Sequence, residues 1–186
     1  MKRLALLPLI AVALAACSDS ATAPTSEHRP LLAVSPGTYT ATISPANAPS
    51  GTHLQTGSIG CTVGTNLSVT CSSFQLAGVG NTNATVVLLA SYTGTVDCFN
   101  HGKDPNNPIE SHTTSFSTGD TTTVASTKNG RLTIPQETAS PGSVTQVCPN
   151  PNWTAQLRPG SLELVSFTYT VTFAGFTSPY ISIAES

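Results

Sequence analysis

Titratable side chains crowd together at one place in the sequence. His101 and His112 flank Lys103, Asp104 and Glu110, and imidazole and carboxylate groups are what metal sites and acid–base sites use. Asp104 opens an oxygen-rich run, Asp-Pro-Asn-Asn, but this run lacks the glycine and the bidentate glutamate spacing of an EF-hand. We therefore predict no metal and no cofactor for this segment.

Hydrolytic chemistry needs paired carboxylates or an activated nucleophile. A glycosidase places two carboxylates across a cleft, and the folded part of the chain offers Asp97, Asp104, Glu110, Asp120, Glu137, Glu163 and Glu185. Serines are plentiful, but none lies in a Gly-x-Ser-x-Gly motif followed by a helix. We expect the carboxylates to be solvated loop charges and assign no catalytic residue. A secreted, glycan-acting hydrolase is therefore the alternative function.

The N-terminus has the layout of an export signal. Lys2 and Arg3 precede an apolar run, residues 4–14, that is too short to span a bilayer as a helix. The next residues, Leu14-Ala15-Ala16-Cys17, resemble the lipobox of bacterial lipoproteins. The resemblance implies a signal peptide over residues 1–16 and a diacylglycerol on the Cys17 thiol. An ordinary signal peptide cleaved nearby is the alternative.

The residues after Cys17 connect the anchor to the fold. Residues 17–36 carry little apolar surface before Leu31, so we predict a flexible tether with an r.m.s. reach of about 25 Å. Ser18 stands where an aspartate would, by resemblance to proteobacterial sorting, favour the inner membrane. The predicted location is extracytoplasmic and lipid-anchored, at the outer membrane or cell surface.

The charge balance excludes one class of partner. The chain has 7 basic and 9 acidic residues, and without Lys2 and Arg3 its net charge is about −4, with no basic stripe to neutralise phosphates. We therefore expect no nucleic-acid partner. The predicted partners are the membrane, through the lipid, and a glycan or an envelope protein. The protein itself is expected to be a monomer.

Four cysteines remain once Cys17 is assigned to the lipid, namely Cys61, Cys71, Cys98 and Cys148. An even number in an exported domain predicts two disulfides, for which three connectivities are possible. Cys61 and Cys71 lie nearly symmetrically about the predicted hairpin loop Gly64-Thr65-Asn66. Their Cβ atoms could therefore face each other across two strands.

Period-two patterns predict the strands that position these residues. Residues 38–43 and 165–173 alternate apolar side chains with threonine or serine, as half-buried strands do. Residues 84–98 form the strongest strand, with Val86, Leu88, Ala90, Tyr92, Val96 and Cys98 pointing one way. Val87 and Leu89 make its first half apolar on both faces, which is typical of a strand covered on each side.

The remaining segments are weaker. Residues 111–127 are mostly threonine and serine, so they predict one or two edge-like strands with Phe116 and Val124 pointing inward. Residues 45–57 and 136–146 are expected to be loops. Eight or nine short strands without helical periodicity predict an all-β fold. Over residues 37–186 we predict an antiparallel, immunoglobulin-like β-sandwich, with a closed β-barrel as the alternative.

Several short motifs follow one another in the domain. They are Gly78-Val79-Gly80-Asn81, Cys98-Phe99-Asn100-His101-Gly102 with Pro105 and Asn106 after it, Lys128-Asn129-Gly130, and Cys148-Pro149-Asn150-Pro151-Asn152-Trp153-Thr154. In this order they resemble small secreted proteins of unknown function from actinobacteria and related soil bacteria. The resemblance implies the sandwich fold and a disulfide between Cys98 and Cys148, but no activity.

The implied bridge would bring the loop after Cys98 close to the segment that leads to Trp153. We hypothesise one polar binding patch there, because ordered loops on a rigid scaffold usually carry binding groups. Its members are His101, Lys103, Asp104, Asn106, Asn107 and Trp153. The competing interpretation is a solvated loop with Trp153 packed in the core. The sequence thus predicts a lipid-anchored binding or structural module of the cell envelope, with no ligand identified.

Overall fold

The computed structural model of the chain describes residues 33–100, 107–143 and 148–186. These residues form thirteen β-strands and a 3₁₀ turn at Pro45–Asn47, with no α-helix among them. The strands are β1 (Gly37–Thr40), β2 (Thr42–Ile43), β3 (His53–Gly57), β4 (Gly60–Val63), β5 (Val69–Cys71), β6 (Phe74–Ala77), β7 (Ala84–Asn100), β8 (Glu110–Val124), β9 (Arg131–Ile134), β10 (Glu137–Ala139), β11 (Trp153–Leu157), β12 (Glu163–Phe173) and β13 (Ile181–Glu185).

The strands form three sheets, and every pairing is antiparallel. The largest sheet has the order β8-β7-β12-β13-β2, and β11 pairs with the part of β7 that β12 leaves uncovered. The other two sheets have the orders β1-β4-β5-β10 and β3-β6-β9. The 17-residue strand β7 therefore organises the largest sheet, because it pairs with three other strands.

The inward side chains of β7 and β12 form one side of the core. On β7 they are the predicted Val86, Leu88, Ala90, Tyr92, Val96 and Cys98, all of them at most 1% exposed. On β12, Phe167, Tyr169, Val171 and Phe173 are buried to the same degree. Because the side-chain period of a strand is two, the alternation in the sequence decides which face is buried.

Contacts between the sheets show that they stack face to face. The ring of Tyr39 on β1 meets the ring of Phe167 on β12 edge to face, with centroids 5.3 Å apart. Tyr92 on β7 reaches across the core, and its hydroxyl donates to Leu67 O at 3.0 Å. The sheets do not close into a barrel. The predicted all-β, antiparallel sandwich is thus confirmed, and the alternative of a closed β-barrel is wrong.

Short strands account for the difference from the eight or nine predicted. The expected loop 45–57 contains the 3₁₀ turn and β3, and the expected loop 136–146 contains β10. Residues 38–43 form two strands, since β1 pairs with β4 and β2 pairs with β13 in a different sheet. Strands this short depend on their neighbours for pairing, so their own sequence pattern does not identify them.

Two expectations about individual faces are wrong. The β12–β7 register shifts between Leu164 and Ser166, and this bulge buries Leu164 completely in place of the expected Val165. The outer face of β7 is not covered, because Leu89 is 46% exposed. The inward positions predicted for β8 are confirmed, since Phe116 and Val124 pack against the core.

Both predicted disulfides are present. Cys61 and Cys71 lie directly opposite each other on β4 and β5, with Cα atoms 4.0 Å apart. The second disulfide joins Cys98 to Cys148, 50 positions along the chain. The hairpin pairing expected from the sequence and the pairing implied by the resemblance are therefore confirmed.

The disulfides also bear on the compartment. Two disulfides in a domain of this size indicate an oxidising, extracytoplasmic environment. No helix among the residues that the structure describes is long and apolar enough to cross a membrane.

Candidate functional site

An ionic cluster lies at the end of β7 that carries Cys98. Its centre is Asp97, whose side chain is on the outer face of the largest sheet but only 8% exposed. Arg158 donates to both carboxylate oxygens, from Nη2 to Oδ1 at 2.7 Å and from Nε to Oδ2 at 3.1 Å. Ser111 on β8 donates to Oδ1 at 2.6 Å and accepts from Arg158 Nη2 at 3.0 Å. Both carboxylate oxygens of Asp97 therefore accept hydrogen bonds.

The backbone after β11 holds Arg158 in place. The Arg158 N–H donates to Thr95 O at 2.8 Å, and Ser161 Oγ accepts the Thr95 N–H at 3.0 Å. Ser161 Oγ in turn lies 2.8 Å from Arg158 O. These hydrogen bonds fix the turn that carries Arg158 against β7, and they place the guanidinium so that it can contact both carboxylate oxygens of Asp97.

These contacts set the charge state of the cluster. The hydrogen bonds from Arg158, and then from Ser111, lower the pKa of the Asp97 carboxyl below its ordinary value of 3.8, although desolvation opposes them. The same carboxylate raises the pKa of Arg158. Asp97 is therefore an engaged anion at neutral pH, which suits a structural ion pair and not a general acid.

A second pair of titratable groups lies at the same end of the sheet, on the other face of β8. His112 Nε2 is 3.1 Å from Glu110 Oε1, but the angles do not make a hydrogen bond, and this buried nitrogen has no hydrogen-bond partner in the described part of the chain. No three His, Cys, Asp or Glu side chains of the described residues group closely enough to hold a metal ion.

The predicted binding patch falls partly outside the described residues, as do its members His101, Lys103, Asp104 and Asn106. Asn107 is exposed and lies shortly before β8, whose first residue, Glu110, pairs with Cys98. Trp153 is partly buried and begins β11 opposite Asn100. The two described members thus lie at the same end of β7, and the patch as a whole stays a prediction. Cys17 also lies outside the described residues.

The outer face of the largest sheet is rich in side-chain hydroxyl groups. We call it the hydroxyl face and define it by the outward serines and threonines of five adjacent strands: Thr42 on β2, Ser182 on β13, Ser166, Thr168, Thr170 and Thr172 on β12, Thr85 and Ser91 on β7, and Ser117, Thr121 and Thr123 on β8. The other outward positions in these rows are Val87, Leu89, Ala184 and Gly119, so none carries a charge.

The register arranges these side chains in rows that cross the strands. Thr121, Val87 and Thr170 form one row, which Ser182 and Thr42 continue. Neighbouring positions are about 4.8 Å apart across the strands and roughly 6.7 Å apart along one strand. The hydroxyl face is therefore a regular array of groups that can both donate and accept hydrogen bonds.

Two depressions open on this side of the sheet. One, of about 340 Å³, lies where Gly119 pairs with Leu89, and Ser117, Asp120 and Thr121 line it on the β8 side. The other, of about 300 Å³, is lined by Thr93, Thr95, Thr113, Ser161 and Glu163. It separates the uncharged hydroxyl face from the Asp97–Arg158 cluster.

The expectation that all carboxylates are solvated loop charges is wrong for several of them. Asp97 and Glu137 are buried, at 8% and 7% exposure, and both lie in strands. Asp120 and Glu185 also lie in strands, β8 and β13. Asp104 lies outside the described residues. The segments predicted as strands, 84–98 and 111–127, contain Asp97 and Asp120, so what the sequence did not predict is the burial of Asp97.

Arg158 was also missed as a partner of Asp97. The two residues are 61 positions apart, and only the β11–β7 pairing brings them together. The hydroxyl face was visible in the sequence as alternating threonines, but its breadth required the register of five strands.

Together these features define a disulfide-bonded, antiparallel β-sandwich with a hydroxyl-rich outer face and an Asp97–Arg158 ion pair at one end of it. Comparisons with known protein families, with curated proteins and with solved structures found no match. The resemblance to small secreted proteins of actinobacteria, and the lipobox, therefore stay predictions.

Proposed function

We propose that this protein is a lipid-anchored, extracytoplasmic binding module whose hydroxyl face binds a neutral polysaccharide of the cell envelope. The observation that carries this proposal is the hydroxyl face, a regular and uncharged array across five strands. A neutral polysaccharide presents repeated hydroxyls, each a donor and an acceptor, so its pattern matches that of threonine and serine.

The chemistry of the face favours an extended, uncharged ligand. The outward positions of these rows carry no charge, and the carboxylate of Asp120 beside the Gly119 depression would disfavour an anionic ligand. Leu89, which is 46% exposed, offers an apolar contact for the C–H face of a sugar ring. The repeat along and across the strands suits a polymer better than a single small molecule, because each row can engage another unit of the chain.

The alternative, a glycan-acting hydrolase, needs two carboxylates that face each other. The described carboxylates are spread over strands β7, β8, β10, β12 and β13, and Asp97 is already bound by Arg158. No observation favours hydrolysis over binding, so we retain binding as the proposed function.

The anchor has its own test. Replacing Cys17 with serine removes the thiol that would carry the lipid, while the signal sequence and the sandwich are unchanged. The Cys17→Ser chain should move from the membrane fraction to the soluble extracytoplasmic fraction. A variant that stays in the membrane fraction would show that another part of the protein holds it there.

Polysaccharide binding is tested with that soluble chain and a panel of insoluble neutral polysaccharides: a β-glucan, an α-glucan and a mannan. Thr168→Glu places a charge in the middle of the hydroxyl face, opposite Leu89. The matched control is Thr62→Glu, because Thr62 is also an exposed strand threonine but lies on the opposite side of the sandwich. Thr168→Glu should lower the affinity by roughly tenfold or more, since burying a charge against a neutral ligand is costly.

Co-sedimentation of the protein with each polysaccharide gives the bound fraction. Thr62→Glu should bind as the unsubstituted chain does. Equal losses for the two variants, or no binding to any neutral polysaccharide, would overturn the proposed function.

A further inference from the structure

The two depressions on the outer face of the largest sheet follow one another along the same pair of strands, β7 and β8. We call them the Gly119 depression and the Glu163 depression, after one lining residue of each. On β7, Leu89 lines the first, and Thr93 and Thr95 line the second. Because odd-numbered residues of β7 point outward, these three positions lie in one line along the strand.

A single outward position of β7, Ser91, separates the two depressions. Ser91 Oγ lies 3.0 Å from Ser117 Oγ on β8, so a pair of hydrogen-bonded hydroxyls connects them. Leu89 and Thr95 are six positions apart, which corresponds to about 20 Å along a strand. We call the surface formed by residues 87–95 of β7 and 113–121 of β8 the β7–β8 groove.

The Glu163 depression contains polar groups that are available to a ligand. Glu163 begins β12 and is exposed, and its carboxylate forms no ion pair or hydrogen bond with another described residue. Thr95 and Thr113 pair across β7 and β8, and their hydroxyls have no hydrogen-bond partner in the described part of the chain. An ionised carboxylate accepts several hydrogen bonds, and a hydroxyl both donates and accepts. This combination suits a sugar unit.

The Gly119 depression offers the same chemistry together with an apolar contact. Asp120 Oδ1 accepts the Thr121 N–H at 2.7 Å, and Asp120 Oδ2 has no partner among the described residues. Leu89, at 46% exposure, adds apolar surface that the Glu163 depression does not have. We therefore expect a short sugar to bind first at the Gly119 depression, because it can use both kinds of contact.

We propose that the polysaccharide lies along the β7–β8 groove, with the Glu163 depression as a second sugar subsite outside the hydroxyl face. This inference rests on the proposed function, and it adds the direction of the polymer and the contacts at its second subsite. Each carboxylate accepts from sugar hydroxyls, and such charge-assisted hydrogen bonds are stronger than neutral ones. The same carboxylates repel an acidic polysaccharide, so the groove selects an uncharged chain.

The length of the ligand provides the first test. Isothermal titration calorimetry on the soluble Cys17→Ser chain compares disaccharides with octasaccharides of the β-glucan, the α-glucan and the mannan. A disaccharide is too short to reach both depressions, whereas an extended octasaccharide reaches them together. The octasaccharide should therefore bind roughly tenfold or more tightly than the disaccharide.

A longer chain also has more ways to occupy a single subsite, so variants must separate the two subsites. Glu163→Ala should weaken octasaccharide binding by roughly tenfold and leave disaccharide binding unchanged. Leu89→Ala should weaken both. The matched control is Glu185→Ala, because Glu185 is also a strand carboxylate but pairs with the core residue Phe167, on the inner side of the sheet. This control should change neither affinity.

Ser182→Glu distinguishes a polymer along the strands from one across them. Ser182 lies on β13, in a row that crosses the strands, so this variant should leave octasaccharide binding unchanged. Circular dichroism checks the fold of each variant. If the octasaccharide binds no more tightly than the disaccharide, if Glu163→Ala does not weaken it, or if Ser182→Glu does, the proposed direction is wrong while the proposed function stands. Absence of binding to every sugar would overturn the proposed function, and this inference with it.

Discussion

Removal of the disulfide between Cys98 and Cys148 should destabilise the protein more than removal of the hairpin disulfide, although both are buried. The bridge between Cys98 and Cys148 spans 50 positions, and the bridge between Cys61 and Cys71 spans 10. By loop-closure entropy these correspond to about 4 and about 3 kcal/mol of unfolding free energy at 25 °C. The double alanine variants measure the difference.

The structure around the two disulfides also predicts a larger loss of stability for the variant without the Cys98–Cys148 bridge. Cys61 and Cys71 lie on strands that also pair with β1 and β10, so the hairpin keeps its backbone hydrogen bonds when the bridge is removed. Cys148 lies outside any strand, five positions before β11 begins. Between Cys148 and the start of β11 no described residue pairs with a strand, so the bridge holds this segment against Cys98. The loss for Cys98→Ala/Cys148→Ala should therefore reach the full entropic value.

Urea unfolding of the Cys17→Ser chain gives the free energies, with fluorescence of the sole tryptophan, Trp153, and far-UV circular dichroism as probes. A loss of about 4 kcal/mol corresponds to a fall in Tm of roughly 8–16 °C for a chain of this size. The reasoning is refuted if the hairpin variant loses more stability, or if Cys98→Ala/Cys148→Ala loses less than about 1 kcal/mol.

Two further predictions concern buried polar groups. Tyr92→Phe should lower the unfolding free energy by about 1 kcal/mol, because Tyr92 donates to Leu67 O, whereas Tyr169→Phe should be neutral or stabilising, because the buried Tyr169 hydroxyl has no partner in the described part of the chain. Urea unfolding of both variants checks this, and equal losses would contradict it. The Asp97 pKa is lowered in the fold, so its stabilising contribution is complete above pH 3.8 and is lost as the pH falls through the lowered value. Asp97→Asn should remove this acid-dependent part from a pH series of unfolding free energies; an unchanged acid limb would show that other groups carry it.

The sequence correctly predicted those features that depend only on a local residue pattern, namely which side chains of a strand are buried and which cysteines of a hairpin are paired. The inward residues of β7 alternate over 15 positions, and a slip of one residue would expose all of them, so their burial was readable. The hairpin bridge was readable for a similar reason, because Cys61 and Cys71 flank a short turn. Local geometry was sufficient in both cases.

Features that depend on distant partners were not readable. β3 pairs with β6, and β10 pairs with β5. Neither of these short strands has a sequence pattern that identifies it as a strand. Asp97 was predicted to be a solvated charge because its partner, Arg158, is distant in the sequence and comes close only when β11 pairs with β7. Leu89 was expected to be covered because its apolar type says nothing about whether a further layer exists. Each of these wrong predictions concerns which distant residues lie nearby and not the strand propensity of the segment itself.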